Sequence, residues 1–209
     1  MPIVPETEDT ASLTIARDTL ARLLAMMEQW KPGAPHPVLD MRGVPGAAQV
    51  IASQVLGDGE VSIRVTGSRL LKVQESVFAG LWRVVELDSA GQLLADWLEA
   101  APLPAAVLAA ARDGARDSLM PVEIANGAMN SPALLHELQA QLKSRKPGDR
   151  AHVLNLTLFP MTPEDHQMLE RALPVGSVAI ISRGFGNCRI TSTTARNVWR
   201  VQYFNSMNT

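Results

Sequence analysis

Apolar and polar residues alternate along the first half of the chain in a way that predicts two helices and four strands. From Ser12 to Gln29 the apolar residues recur about every 3.6 positions, the spacing of one helix face, until Lys31-Pro32-Gly33 interrupts it. Alternation at every second residue, broken by short turns, predicts a three-stranded meander further on. The predicted elements are helices at 12–29 and 45–55 and strands at 36–41, 60–65, 70–75 and 81–87.

The second half predicts the same order of elements. Ser131 and Pro132 open one helix, because serine caps a helix N-terminus and proline fits the first turn. Thr162 and Pro163 open another, followed by two carboxylates that the helix dipole favours there. The predicted elements are helices at 131–144 and 162–173 and strands at 151–159, 178–183, 189–193 and 198–204. Each half therefore has the order helix, strand, helix and three strands, which is typical of the α+β class.

The two halves also share residues at a fixed spacing of 117. Gly59 corresponds to Gly176, and Trp82 corresponds to Trp199. Two copies of about 80 residues are too few for a solenoid, so the repeat indicates a duplicated half-domain. We expect two tandem copies of the helix–strand–helix–three-strand-meander unit, related by an internal pseudo-two-fold axis. The predicted parts are a first copy at 11–89, a helical connector at 90–126 and a second copy at 127–209.

The connector at 90–126 is rich in alanine and is interrupted by Pro102 and Pro104. Alanine favours helix, so we expect two short helices, at 92–100 and 105–116. Few side chains in this segment carry chemistry, and we interpret it as structural.

Charge is distributed unevenly, although the net charge is only −2. Residues 171–209 contain five arginines and no acidic residue, whereas the corresponding window 54–92 contains four basic and five acidic residues. Arginine pairs with carboxylates through a planar fork, so this part of the chain is suited to an acidic protein partner. The alternative is that some of these arginines pair with acids elsewhere in the chain.

The chemically richest stretch is 182–200, which holds two predicted turns. We expect a hairpin tip at 184–187, because glycine accepts positive φ angles and asparagine tolerates them. The tip brings Arg183 and Arg189 together, and the next turn presents Arg196. The first copy has no counterpart of Arg196, so these loops are a candidate functional surface of the second copy alone.

Several chemistries lack their motifs in this sequence, which has no Walker loop, no G-x-G-x-x-G, no G-x-S-x-G and no carboxylate pair. Cys188 is the single cysteine, which excludes an internal disulfide, and the four histidines form no ligand motif. We interpret Cys188 as a small buried strand residue, or alternatively as a thiolate for a partner's metal. We expect no metal, no cofactor and no nucleic acid partner, because aromatic residues are few and the net charge is negative.

Residues 1–10 are acidic and contain proline, without the basic and apolar regions of a signal peptide. No apolar run approaches the roughly 18 residues of a membrane-spanning helix. We therefore expect a cytoplasmic protein that does not insert into a membrane.

Three strings of the second half resemble one protein family. They are Leu-Asn-Leu-Thr-Leu-Phe-Pro-Met-Thr-Pro-Glu-Asp at 154–165, Ser-Arg-Gly-Phe-Gly-Asn-Cys-Arg-Ile-Thr-Ser at 182–192, and Arg-Asn-Val-Trp-Arg-Val-Gln-Tyr-Phe-Asn-Ser at 196–206. The sequence is similar there to the C-terminal domain of the HupH/HyaF hydrogenase expression and formation proteins, closely over 126–206 and more loosely over the first half. In its length the chain resembles the compact HoxT-like relatives.

The resemblance implies an accessory protein, not an enzyme, that acts as a chaperone in maturation of an uptake nickel–iron hydrogenase. The implied partners are the precursor of the iron–sulfur small subunit, whose cluster assembly would be protected from oxygen, and other hydrogenase accessory proteins. Together with the charge pattern, the resemblance assigns partner binding to Arg183, Gly184, Phe185, Gly186, Asn187, Arg189, Arg196, Asn197 and Arg200, with Cys188 as a candidate thiolate.

Longer relatives continue past the position of Ser206, and in the first copy the same place is followed by 93–108. We expect the second copy to keep an open face for a partner. An interpretation from another functional class is a redox or metal-handling factor centred on Cys188, completed by the second subunit of a homodimer. The sequence leaves the oligomeric state open.

Overall fold

The computed structural model of the protein describes residues 10–184 and 186–204. Over these residues the class is α+β, as predicted, with five α-helices and one eight-stranded antiparallel sheet. The helices are α1 (Thr10–Gln29), α2 (Gly46–Leu56), α3 (Ala105–Arg112), α4 (Ser131–Ser144) and α5 (Pro163–Ala172), with a 3-10 turn at Leu156–Leu158. The strands are β1 (Val38–Asp40), β2 (Val61–Val65), β3 (Leu70–Glu75), β4 (Leu81–Leu87), β5 (Leu93–Ala100), β6 (Val175–Ser182), β7 (Asn187–Thr193) and β8 (Trp199–Phe204).

The strands follow the order β1-β5-β4-β3-β2-β6-β7-β8 across the sheet. At its middle β2 and β6 pair antiparallel, with Ile63 opposite Ile180. β3, β4 and β5 extend from β2, and the short β1 pairs with the far side of β5. Among the described strands, β1 and β8 are therefore the two edges.

The described residues form two compact units. Unit 1 consists of 10–110, 178–184, 186–190 and 202–204, and unit 2 consists of 111–177 and 191–201. Strands β6, β7 and β8 therefore contribute residues to both units. The bounds 11–89, 90–126 and 127–209 concern the repeated copies and remain predictions.

Each unit has its own apolar core. In unit 1, α1 and α2 bury Ala16, Leu23 and Ile51 in one cluster with Leu98 of β5. In unit 2, the facing sides of α4 and α5 bury another cluster, because apolar side chains recur there at helical spacing. Its buried members are Leu135, Met168, Leu169, Ala172, Leu173 and Ala195. No helix in the described part of the chain is both long and apolar enough to cross a membrane.

The helix predicted at 92–100 is wrong, because this segment is strand β5. Its leucines and alanines favour helix, but β5 pairs with β4 on one side and β1 on the other. Asp96 and Leu98, two residues apart, are both buried, which fits a strand between two neighbours. Tertiary pairing thus overrides local propensity here. The helix predicted at 105–116 ends at Arg112.

The strand predicted at 151–159 is also wrong. The segment has no strand pairing, and its regular part is the 3-10 turn at Leu156–Leu158. The Asn155 side chain accepts a hydrogen bond from the N–H of Thr157 at 3.1 Å, which favours a turn over an extended strand.

Gly59 lies where the backbone approaches its neighbour closely, so a side chain there should destabilise unit 1. A Cβ on Gly59 would overlap the carbonyl oxygen of Ser76, and the Gly59 N–H is tied to the Glu75 carbonyl at 2.7 Å. We expect Gly59→Ala to lower the free energy of unfolding by about 2 kcal/mol and Tm by about 5 °C. Gly43 has open space around it, and Gly43→Ala should leave Tm within about 2 °C. Thermal unfolding followed by circular dichroism checks both, and equal Tm values would contradict the prediction.

Candidate partner-binding surface

The hairpin between β6 and β7 carries the densest group of predicted site residues. The N–H of Arg183 donates to the carbonyl oxygen of Glu60 at 3.1 Å, and the N–H of Gly186 donates to that of Gly184 at 3.2 Å. Gly186 has a φ of 79°, which glycine adopts without strain. The carboxylate of Glu60 lies beside Gly184, where a Cβ on residue 184 would displace that flexible, exposed side chain. Phe185, one of the predicted partner-binding residues, lies outside the described residues.

Arg183 and Arg189 carry positive charge at this hairpin. Both side chains are exposed, as is Asn187. Neither guanidinium forms an ion pair or a side-chain hydrogen bond with any residue of 10–184 or 186–204. Both are therefore available to carboxylates from outside the chain, which an arginine fork binds with two parallel hydrogen bonds.

Arg196, in the next turn, is held within unit 2. Its Nε donates to Oδ1 of Asp117 at 2.6 Å, and its Nη2 donates to the carbonyl oxygen of Ala115 at 3.1 Å. The Arg196 N–H also donates to the Arg116 carbonyl at 2.7 Å. The side chain remains 41% exposed. Arg196 therefore anchors the 115–117 segment, which is the intramolecular pairing that the sequence left as an alternative.

Arg200 points to the end of α5. Its Nη2 donates to the carbonyl oxygens of Leu169 and Leu173, both at 2.8 Å. The Leu169 carbonyl also accepts from the Leu173 N–H at 3.0 Å, whereas Leu173 lies just past the last residue of α5, where carbonyls no longer have helical partners. Burial lowers the pKa of the Arg200 guanidinium from its ordinary value, and the charge of Glu170 acts in the opposite direction. Arg200 is therefore a half-buried helix cap, and among the described residues no carboxylate bonds to it.

Cys188 lies half-buried on β7 as a free thiol. Across the part of the chain that the structure describes, no group of three or more His, Cys, Asp or Glu side chains could hold a metal ion. A metal ion bound at Cys188 would therefore need further ligands from outside the described residues.

An exposed apolar segment in unit 2 completes the candidate surfaces. Val153 and Leu158 are 77% and 75% exposed, and every residue of 151–160 except Leu154 is exposed. The segment is tied at one end by Asn130, whose Nδ2 donates to the Pro160 carbonyl at 2.7 Å. Exposed apolar side chains in such a run indicate a contact surface, since monomeric proteins rarely leave them uncovered.

A family model for the HupH hydrogenase expression protein, C-terminal conserved region, matches residues 13–124 and 128–209. The chain belongs to the HupH hydrogenase expression protein family. Among its relatives, the hydrogenase expression/formation protein HoxQ of Cupriavidus necator is 41% identical over 209 residues, covering 100% of this chain and 73% of HoxQ. The hydrogenase expression/formation protein HupH of Rhizobium leguminosarum is 39% identical over 192 residues, covering 91% of this chain and 67% of that protein.

Among solved structures, the hydrogenase expression protein HupH of Thiobacillus denitrificans aligns with 46% of this chain and 78% of its own. The TM-score is 0.37 and the sequence identity is 21%.

Sequence reasoning missed two features of this HupH-family chain. The exposed segment 151–160 was missed as a surface, because the alternating apolar residues of 151–159 predict a strand. The available signal was the place of this segment in the family strings. Glu60 was missed as well, because its contact with Gly184 joins positions far apart in the sequence. Long-range contacts of this kind leave no local pattern.

Asn197 has a φ of 60°, which is unusual for a residue other than glycine. Asparagine tolerates the left-handed region, whereas a β-branched side chain does not. We expect Asn197→Val to lower the free energy of unfolding by about 1.5 kcal/mol and Tm by about 4 °C. Asn197→Gly, which keeps the conformation, should leave Tm within about 2 °C. Differential scanning calorimetry measures both, and a valine variant as stable as the glycine variant would rule out the strain argument.

Proposed function

We propose that the protein is a cytoplasmic accessory factor in the maturation of a nickel–iron hydrogenase and that it works as a chaperone, not as an enzyme. The observation that carries the proposal is 41% identity over 209 residues to a hydrogenase expression/formation protein, 73% of whose length is covered. The hairpin surface is compatible with this role, because it offers exposed cationic side chains that have no partner among the described residues.

We propose that the partner is the precursor of the hydrogenase small subunit, bound at the β6–β7 hairpin. Arg183 and Arg189 support this placement, since both are exposed and lack partners among the described residues. Interfaces favour arginine because its fork pairs with carboxylates. Arg196 and Arg200 have structural bonds of their own, so they contribute less to this contact. An acidic stretch of the precursor is the complementary partner.

The internal duplication is part of the proposal, and the strand pairing at the centre of the sheet supports it. Ile63 pairs with Ile180, which is its own counterpart at the spacing of 117, and Val65 pairs with Val178, the counterpart of Val61. Pairing of a strand with its own copy about a central residue is the pattern of an isologous two-fold contact. The family model matches both halves, at 13–124 and 128–209.

The turns before β4 and β8 give further support, because they are built alike. The N–H of Ser76 donates to the Leu81 carbonyl at 2.8 Å, and the N–H of Thr193 donates to the Val198 carbonyl at 3.0 Å. The hydroxyls of Ser76 and Thr193 accept from the N–H two residues later, at 3.1 and 3.2 Å. All four positions are counterparts at the spacing of 117.

Precursor capture tests the proposed surface. We expect the double variant Arg183→Glu, Arg189→Glu to bind purified small-subunit precursor at least about tenfold more weakly, because its charges repel an acidic partner. Arg22→Glu on α1, which is exposed, is the matched control and should bind as the unaltered protein does. Arg196→Glu is less suitable, because it would place two acids together at Asp117. Unchanged binding by a double variant with an unchanged circular dichroism spectrum would reject the surface.

The same assay separates the chaperone from the alternative redox or metal-handling factor. Cys188→Ser removes the single thiol of the chain. If the chaperone proposal holds, this variant captures the precursor as well as the unaltered protein does. Loss of capture together with loss of iron from anaerobically purified protein would instead favour the alternative, including its homodimeric form.

A further inference from the structure

Strand β8 occupies a different place in the sheet from its counterpart β4. β4 lies between β3 and β5, whereas β8 pairs with β7 alone and is an edge within the described residues. All of 201–204 is exposed, and Val201 and Tyr203 are 50% and 76% exposed. An edge strand presents unpaired N–H and C=O groups, which are a template for another strand.

The paired arginines show what β5 supplies to β4. Arg83 and Arg200 are counterparts at the spacing of 117. Arg83 donates from Nη2 to Oδ2 of Asp96, on β5, at 2.8 Å. Arg200 is also half-buried, but none of the carboxylates in the described residues bonds to it. Arg200 therefore lacks the acid that a strand beside β8 would bring.

The paired tryptophans differ in the same way. Trp82 is buried, and its Nε1–H donates to the carbonyl oxygen of Ala101, just after β5, at 2.9 Å. Trp199 is half-buried, and its indole N–H has no acceptor in the described part of the chain. An indole N–H that is removed from water usually finds an acceptor. Among the described residues, no segment beside β8 supplies Trp199 with an acceptor as Ala101 does for Trp82.

The exposed segment 151–160 fits the same account. Its counterpart in the first copy contains β1, whose pairing partner is β5 and whose Leu39 is buried. The described residues contain no strand equivalent to β5 beside β8, so a segment equivalent to β1 has no such strand to pair with. This explains why 151–160 holds apolar residues in strand-like alternation yet forms no strand.

We propose that β8 binds an extended segment of a partner protein, antiparallel to it, as β5 lies against β4. The segment has about eight residues, alternating apolar side chains, and one carboxylate that pairs with Arg200. In the first copy Asp96 lies opposite Val85 and reaches Arg83, so the partner's acid would lie opposite Gln202. The inference rests on the proposed duplication and is independent of the hydrogenase subunit that supplies the strand.

The charges favour a partner strand over other occupants. In a second copy paired through β8, the two strands would bring arginine without any acid, because 171–209 has none. Residues 205–209 likewise contain no aspartate or glutamate. Residues 1–9 are acidic, but Pro2 and Pro5 remove N–H groups that strand pairing uses. Of the occupants considered, a partner polypeptide with an acidic, alternating strand is the one that matches Arg200.

A peptide with this chain's own sequence 91–102, which contains β5, is the probe. We expect it to bind the full chain and to protect the amides of β8 from hydrogen exchange. Asp96→Asn in the peptide should weaken binding about tenfold, because it removes the charge that pairs with Arg200. Against an Arg200→Gln protein, the two peptides should bind equally. The comparison of the two peptides on the unaltered protein changes only the peptide. A folding defect of the Arg200→Gln protein therefore cannot account for weaker binding of the Asp96→Asn peptide.

Other outcomes would overturn the inference. Absence of peptide binding would reject the proposed strand pairing at β8. Equal binding of both peptides to the unaltered protein would reject the proposed pairing of an acid with Arg200. Loss of protection in the chain's own β5, without new protection in β8, would mean that the peptide has displaced β5 from between β1 and β4. If the free protein is a dimer by light scattering and its β8 amides are already protected from exchange, a second copy occupies the edge of β8. If the free protein is a monomer with β8 already protected, the chain itself occupies that edge. Precursor capture through Arg183 and Arg189 is measured separately and can succeed or fail independently.

Discussion

Replacing Asp165 with alanine is expected to lower Tm by about 10 °C, the largest loss of stability among single substitutions in unit 2. Asp165 is fully buried, and its Oδ1 accepts from the N–H groups of Met129, Asn130 and Ser131 at 2.9, 3.0 and 2.8 Å. Its Oδ2 accepts from the N–H of Thr162 at 3.1 Å. Alanine would leave four backbone donors without acceptors at the starts of α4 and α5, and buried unpaired donors are costly.

Two readouts separate this effect from a general loss of an acidic residue. Hydrogen exchange at the amides of 129–131 should accelerate in Asp165→Ala, because these N–H groups lose their acceptor. Glu123→Ala, at an exposed position in the same unit, should change neither exchange nor Tm by more than about 2 °C. Equal behaviour of the two variants would refute the role assigned to Asp165.

The same carboxylate predicts a pH dependence. Burial would raise the pKa of Asp165, but hydrogen bonds from the backbone of Ser131, Thr162 and Asn130 and from the Ser131 hydroxyl outweigh it and hold that pKa well below its ordinary value. A carboxyl whose pKa is lower in the folded than in the unfolded chain stabilises the fold above its unfolded pKa, near 3.8, and this stabilisation is lost as pH falls through the folded pKa. The Tm difference between unaltered protein and Asp165→Asn should therefore be constant above about pH 5 and shrink below about pH 4. A difference that grows on acidification would contradict this assignment.

Local signals in the sequence were sufficient for much of the fold. Thr162 followed by Pro163 predicts the start of α5, and the structure has a full capping box there, with the Asp165 side chain bound back to the Thr162 N–H. The same acid also holds the start of α4, 34 residues earlier at Ser131. The bond between Asp165 and Ser131 joins residues far apart in the sequence and produces no local pattern. Sequence patterns therefore predicted the cap of α5 but not the link to α4.

The errors arise where pairing with distant strands decides the conformation. Residues 93–100 favour helix locally but are β5, because strands on both sides pair with them. Residues 151–159 favour a strand locally but have no neighbour to pair with. The conformation of such a segment depends both on its local preference and on pairing with distant strands. Sequence patterns indicate only the local preference.

The candidate surface was predicted only as a group of residues. Charge counting identified the arginines, but it could not separate Arg183 and Arg189, which have no partners among the described residues, from Arg196 and Arg200, which do. That distinction depends on Asp117 and on the end of α5, and neither has a fixed sequence spacing from the arginine that it meets.

Asp96→Ala is expected to lower the free energy of unfolding by about 3 kcal/mol and Tm by about 9 °C. The Asp96 side chain is 4% exposed and pairs with Arg83 at 2.8 Å, and the same guanidinium reaches Ser53 and Gln49 on α2. Removing the acid leaves a half-buried charge without its counterion, which costs more than the pair itself contributes. The hydrogen bond to Asp96 raises the pKa of Arg83 against the effect of burial, so this arginine stays charged. Urea unfolding measures the loss.

The exposed pair of Asp40 and Arg42 is the matched control. Its side chains are 54% and 56% exposed, so water screens their attraction, and Asp40→Ala should leave Tm within about 2 °C. The double variant Arg83→Met, Asp96→Leu should recover most of the stability that Asp96→Ala loses, because it removes the charge together with its partner. If the double variant is as unstable as Asp96→Ala, the loss of stability comes from packing in β5 and not from the unpaired charge of Arg83. The pair of Arg83 and Asp96 would then no longer support the inference that Arg200 requires an acid from a strand beside β8.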